Sequence, residues 1–215
     1  MQWLFFDLDG TIIDTEPVAA ATGKELLAAM GIQLTQEDAR LVSGRTWHSA
    51  LTLLYARHTF PQPFDTTFHS IRDVYRARIE SNLVVVPGSI EAIQELSKTY
   101  KMACVSGSRR SEITWALEHI DVMRHFSFIL GCEDYTESKP NPESYLLALN
   151  RAQCTAQDAI VFEDSAPGIA AGIAAGIQVV CITSTNHFGQ DTQSAHLHVP
   201  DFRSVTPQLL ASLKN

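Results

Sequence analysis

Two periodicities divide the chain. Short apolar runs at residues 3–6, 102–105, 126–130, 159–162 and 177–182 each meet a turn or polar signal and predict five buried strands. Between them apolar residues recur at helical spacing: Ile90, Ile93 and Leu96 after the Pro87-Gly88 turn, then Ile113, Ala116, Leu117 and Ile120, then Tyr145, Leu146 and Leu149. Strands alternating with helices predict an α/β fold, a parallel sheet covered on both faces, whose ligands sit beyond the carboxyl ends of its strands. The residues just after each strand therefore matter most.

Residues 16–84 break the alternation with four helical patterns in a row, at 16–30, 36–42, 47–58 and 64–81. This predicts an inserted helical module, with 1–15 and 85–215 forming the α/β domain. Residues 166–183 carry no charge, and Gly168, Gly172 and Gly176 fall at a spacing also seen in membrane dimers. Alanine and glycine fill the first half and β-branched residues gather only after Gly176, which predicts a soluble helix, a glycine stop and a buried strand.

Composition narrows the partners. The 215 residues include 16 Lys and Arg against 24 Asp and Glu, a net charge of −8, which argues against nucleic acid and against an anionic membrane surface. The inserted segment is neutral, with Lys24, Arg40, Arg45, Arg57, Arg72, Arg76 and Arg78 matched by Glu16, Glu25, Glu37, Asp38, Asp65, Asp73 and Glu80. All the net acidity thus belongs to the α/β part, a division that suits one part holding a cation and the other facing an anionic ligand. Cys104, Cys132, Cys154 and Cys181 form no C-x-x-C pair and are expected to be reduced. The first apolar run meets Asp7 too soon for a signal peptide, so a cytoplasmic location is expected.

The sharpest feature is Asp7-Leu8-Asp9-Gly10-Thr11, two carboxylates at the end of a fully apolar strand with a glycine for a tight turn. Carboxylates there are costly without a cation or a task. A calcium loop of the D-x-D kind needs glycine at its sixth position and glutamate at its twelfth; here those places fall on Ile12 and Val18. Other predicted strand ends carry what phosphoryl chemistry requires. Ser106-Gly107-Ser108 offers hydroxyl and backbone N–H donors ahead of a helix, unless Ser106 is a simple N-cap. Lys139 precedes Asn141, suited to an N-cap, and Pro142, suited to a first helical position. Glu163-Asp164-Ser165 supplies a second acidic pair, readable as metal ligands or as partners of a helix dipole. His196 and His198, without a third ligand, read as surface or strand residues.

These residues, in this order, resemble the motifs of the haloacid dehalogenase superfamily: Asp7-Leu8-Asp9-Gly10-Thr11, then Ser106, then Lys139, then Glu163-Asp164. The insertion after the first motif, with Asp14-Thr15-Glu16-Pro17 and Glu163 to Gly168, is similar to the capped branch holding β-phosphoglucomutase and small sugar-phosphate phosphatases. The resemblance implies a Rossmann-like three-layer core with a helical cap over the site, and a Mg²⁺-dependent phosphatase acting on a small phosphorylated metabolite.

It also implies roles. Asp7 would attack phosphorus to form an aspartyl phosphate, and Asp9 would act as acid and then base. Ser106, Gly107 and Lys139 would hold the phosphate. Asp7, the backbone carbonyl of Asp9 and Asp164 would bind Mg²⁺, with Glu163 behind them. Arg45, Thr46 and Trp47 fall in the loop where relatives place specificity, although with Gly44 as anchor it is Trp47, not Arg45, that takes the place of the mutase arginine. The histidine that mutases carry after the first motif is here Ala19, which favours hydrolysis over phosphomutase activity. Dehalogenation would have no use for Asp9 or Asp164, and a phospholigand-binding protein would need no complete catalytic set. Hinges are expected at 14–17 and 84–88; the sequence names no protein partner.

Overall fold

The computed structural model describes residues 3–213. Its centre is a six-stranded, all-parallel sheet in the order β3-β2-β1-β4-β5-β6, made of β1 (Trp3–Phe6), β2 (Lys101–Val105), β3 (Phe128–Leu130), β4 (Ala159–Glu163), β5 (Gln178–Ile182) and β6 (Leu197–Val199). The period of two sorts the strand side chains into two cores. Leu4, Phe6, Met102, Cys104, Ile160 and Phe162 pack with α5 (Ser89–Leu96), α6 (Arg110–His119) and α9 (Pro207–Ser212). Trp3, Phe5, Ala103, Val105 and Val161 pack on the opposite face with α7 (Glu143–Ala152) and α8 (Ala166–Ala174). Helix, sheet and helix form three Rossmann-like layers.

The inserted segment forms α1 (Glu16–Ala29), α2 (Gln36–Val42), α3 (Trp47–Arg57) and α4 (Phe64–Ser81). These close over an apolar cluster of their own, Leu27, Ile32, Leu51, Leu54 and Ile71. The chain leaves and re-enters the α/β part side by side: Asp14 N donates to Val84 O at 2.8 Å and Val86 N to Ile12 O at 3.0 Å. Asp14 also pairs with His187 at 3.0 Å.

Several expectations shift. β6 lies beyond the five expected strands; His198 sits on it with Nε2 at 2.8 Å from Thr192 O, and His196, just before it, accepts on Nδ1 from Val179 N at 3.1 Å. Helix α7 starts one residue later than expected: Pro142 is its N-cap, while Asn141 Oδ1 accepts from Glu143 N at 3.0 Å. Leu146 on that helix is exposed, the buried face being Tyr145, Ala148 and Leu149. The uncharged stretch forms α8, a turn at Gly176 and β5. Among the described residues no helix is long and apolar enough to cross a membrane.

Candidate active site

Strand register brings the motifs together. Phe6 lies opposite Cys104 on one side and Phe162 on the other. The next residues along three adjacent strands, Asp7, Val105 and Glu163, therefore lie level at the carboxyl end of the sheet, followed by Leu8, Ser106 and Asp164. Asp7 N donates to Phe162 O at 3.0 Å, which fixes the turn that begins at Asp7.

Lys139 enters from the loop between β3 and α7. Its Nζ donates to Asp7 Oδ1 and to Glu163 Oε1, both at 2.6 Å, and to Val105 O at 3.1 Å. Burial by itself would lower the lysine pKa, but the Asp7 and Glu163 charges outweigh it and hold the ammonium well above its ordinary value. Burial raises Asp7 well above the carboxylate range, opposed by Lys139 and reinforced by the charges of Glu163 and Asp9. Asp164 is raised likewise, first by burial and then by the charges of Glu163 and Asp7. The site thus concentrates negative charge that Lys139 alone does not neutralise.

Carboxylate oxygens of Asp7, Glu163 and Asp164 lie within 4.8 Å of one another. Glu163 is already engaged: Oε1 accepts from Lys139 and from Tyr145 Oη at 2.8 Å, and Oε2 accepts from Asp164 N at 3.2 Å and Ser165 Oγ at 3.1 Å. Asp164 accepts from Thr11 Oγ1 on Oδ1 and Asp7 from Lys139 on Oδ1, so each has a second oxygen free of hydrogen bonds among the described residues. Buried, oxygen-only donors with spare capacity fit a hard divalent cation. Gly10, at φ +85°, makes the close approach possible, since a Cβ there would stand 2.2 Å from Asp164 Oδ2.

Asp9 is held apart from this cluster. Its Oδ2 accepts from Ser108 Oγ at 2.6 Å and Ser106 Oγ at 3.2 Å, and its Oδ1 from Thr15 Oγ1 at 3.2 Å. Two carboxylates from one turn therefore sit in different surroundings, one beside an ammonium and one among hydroxyls, an arrangement that can divide nucleophile from proton carrier. Ser106 is not a helix cap, because α6 begins at Arg110 with Arg109 as its N-cap; instead Ser106 Oγ accepts from Ser108 N at 3.0 Å.

The loop between α2 and α3 lies over this end of the sheet. Thr46 caps α3, and its Cγ2 lies 2.7 Å from where a Cβ on Gly107 would stand. Trp47 turns into the helical segment, against Gly23 and edge-on to Tyr75 at 5.4 Å between ring centroids. Arg45 turns back on α2, with Nε donating to Leu41 O at 2.9 Å.

Residues outside the expected set hold the loop down. Glu16 accepts from Gly44 N at 2.9 Å and Ser43 Oγ at 3.2 Å, and Gln190 Nε2 donates to Ser43 Oγ at 3.0 Å while its Oε1 accepts from Ala166 N at 3.0 Å. Burial raises the Glu16 pKa against the effect of these donors. Its place directly after the first motif is the one sequence signal that points to Glu16; nothing in the sequence points to Gln190.

A family model described as haloacid dehalogenase-like hydrolase matches residues 4–182. The phosphorylated carbohydrates phosphatase of Thermotoga maritima is 26% identical over 179 residues, 83% of each chain. The bifunctional riboflavin kinase/FMN phosphatase of Arabidopsis thaliana is 28% identical over 186 residues, 84% of this chain but 48% of that protein, so the chain spans about half of it. Among solved structures, β-phosphoglucomutase from Clostridium difficile superposes with a TM-score of 0.85 at 21% identity, covering 100% of this chain and 97% of that one.

Proposed function

The chain belongs to the haloacid dehalogenase-like hydrolases, and we propose that it is a Mg²⁺-dependent phosphatase that hydrolyses a small phosphomonoester, a sugar phosphate or similar metabolite, through a phosphorylated Asp7. The observation that carries this reading is the division between Asp7, joined to Lys139 at 2.6 Å, and Asp9, held by Ser106 and Ser108. The likeness to the Thermotoga phosphatase supports a phosphorylated carbohydrate as substrate class.

In the first step a free Asp7 oxygen attacks phosphorus in line, the P–O bond to the leaving group breaks, and the departing oxygen takes its proton from Asp9. In the second step water attacks the same phosphorus, gives its proton to Asp9, and the bond to Asp7 breaks. Asp9 ends as it began. Lys139, the Ser106 hydroxyl and the Gly107 N–H receive the phosphoryl oxygens, and Glu163 keeps Lys139 in place. Asp7 and Asp164, with the backbone carbonyl of Asp9, would hold Mg²⁺, which supplies Lewis-acid offset of phosphoryl charge. Residues 16–84 act as a cap that shields the site from water, with Thr46 nearest the phosphate loop. A cytoplasmic location would keep the four free cysteines reduced.

Hydrolysis is preferred to phosphomutase chemistry because Ala19 has no acid–base group where mutases carry histidine. The test is phosphate release across a panel of sugar phosphates, phosphoglycolate, nucleotides and bisphosphates, with and without Mg²⁺. Full turnover in excess chelator contradicts the reading.

A further inference from the structure

A half-open crevice of about 40 Å³ runs between α4 of the helical segment and α6 of the α/β part, and Asp9 forms part of its wall. Tyr75 enters it from α4, across from Glu112 and Trp115 of α6. The Tyr75 ring is held edge-on to Trp47 at 5.4 Å between centroids, and its hydroxyl meets the Thr15 side chain. Thr15 spends its own proton on Asp9 Oδ1 at 3.2 Å, so Tyr75 is the donor to Thr15 and keeps acceptor capacity on Oη. Two hydrogen bonds thus separate Tyr75 from the proton carrier. Burial, and next the charge of Asp9, hold the phenol pKa well above its ordinary value, so the group works as a neutral hydroxyl. Across the crevice, one Glu112 oxygen accepts from Arg109 N at 2.9 Å and the other has no hydrogen bond among the described residues. The crevice beside Asp9 therefore presents acceptors to whatever enters it.

We propose that Tyr75 reads the leaving group, its Oη accepting a hydrogen bond from a hydroxyl on the carbon next to the one that bears the ester oxygen. The proposal rests on the phosphatase reading, because the ester oxygen must sit at Asp9 to take its proton. From there a hydroxyl one carbon further along is within reach of Tyr75, which stands two hydrogen bonds from the same carboxylate. Phosphorylated carbohydrates carry such a hydroxyl, and Leu8, Ile79 and Trp115 supply apolar wall for their C–H groups. A ligand without it covers Tyr75 Oη and leaves that acceptor unmet, so the site discriminates by the loss of one hydrogen bond.

The test compares kcat/KM for 2-hydroxypropyl phosphate and propyl phosphate on the full chain with Mg²⁺, in wild type and in Tyr75→Phe. Wild type should favour the hydroxylated ester about tenfold, the scale of one net hydrogen bond, and Tyr75→Phe should remove most of that ratio. The change in ratio is the decisive readout, because a hydroxyl also makes the departing oxygen a better leaving group in either chain. If Tyr75 merely steadied Asp9 through Thr15, both esters would slow alike; an unchanged ratio, with or without a common loss of rate, overturns the proposal and leaves the phosphatase reading standing. Where Tyr75→Phe fails to fold, 2-methoxypropyl phosphate on wild type decides: it has no proton to give and should fall to the level of propyl phosphate, whereas turnover equal to that of the hydroxylated ester overturns the proposal. If acetyl phosphate and all three esters release no phosphate with Mg²⁺ present, the phosphatase reading falls and the proposal with it.

Discussion

The carboxylate of Glu163 occupies the space that a side chain on Gly168 would need: a Cβ there would stand 1.9 Å from Oε1 and 2.1 Å from Oε2. Glu163 cannot step aside without giving up Lys139 and Tyr145. Gly168→Ala should therefore cost about 1–3 kcal/mol of stability, the range for overpacked cores, and should slow phosphate release by loosening Lys139. Thermal unfolding and turnover check both. An unchanged melting temperature with unchanged turnover contradicts this account of the glycine.

Asp9 and Asp164 should separate cleanly on substitution. On the proposed mechanism Asp9→Asn removes the group that gives and then takes a proton, so both formation and breakdown of the phosphoenzyme should slow, on the order of 10²- to 10⁴-fold. Asp164→Asn should chiefly raise the Mg²⁺ concentration needed for half-maximal rate. Recovery of Asp9→Asn, and not of Asp164→Asn, in excess Mg²⁺ means that the two roles are exchanged.

The helical segment carries its own acid-sensitive contact. Thr35 and Asp38 form a reciprocal cap on α2, and Arg57 and His58 reach Asp38 at 3.0 and 3.2 Å. Burial pushes the Asp38 pKa up, but the hydrogen bonds from Thr35 and His58 outweigh it and hold the carboxyl at about 2, below its ordinary 3.8. A depressed folded-state pKa gives stability that is present above the unfolded value and is lost as pH falls through the folded one. Asp38→Ala should cost about 1 kcal/mol near neutrality, the usual scale for a lost helix cap. Measured by urea unfolding, the gap between wild type and variant should be smaller at pH 3 than at pH 6. A gap that does not narrow removes this role from Asp38.

Much of the fold was legible because register in a parallel sheet is set by apolar runs, and these runs end where the chemistry begins. Asp7, Ser106 and Glu163-Asp164 each follow such a run, so their convergence follows from the alternation of strands and helices. The weak signals lie elsewhere. β6 has three residues, with exposed His198 between Leu197 and Val199, too short a run for periodicity to register. Tyr145 reads as one more apolar residue on a helix face, and only the fold shows its hydroxyl reaching Glu163. Gln190 and Ser43 are 147 positions apart and meet only because the loop between α2 and α3 folds back onto the α/β part. Arg45 and Trp47 belong to a predicted specificity loop, yet their side chains bond or pack within the helical segment, while Thr46 between them faces Gly107.

The central claim, that Asp7 is the nucleophile, is tested most directly by acid-quenching the Mg²⁺-loaded chain during turnover of ³²P-labelled acetyl phosphate and mapping the labelled peptide. The account predicts an alkali-labile label on the peptide containing Asp7, absent from Asp7→Asn and absent when chelator is added before substrate. Steady phosphate release without protein-bound label, or undiminished label in Asp7→Asn, would contradict it.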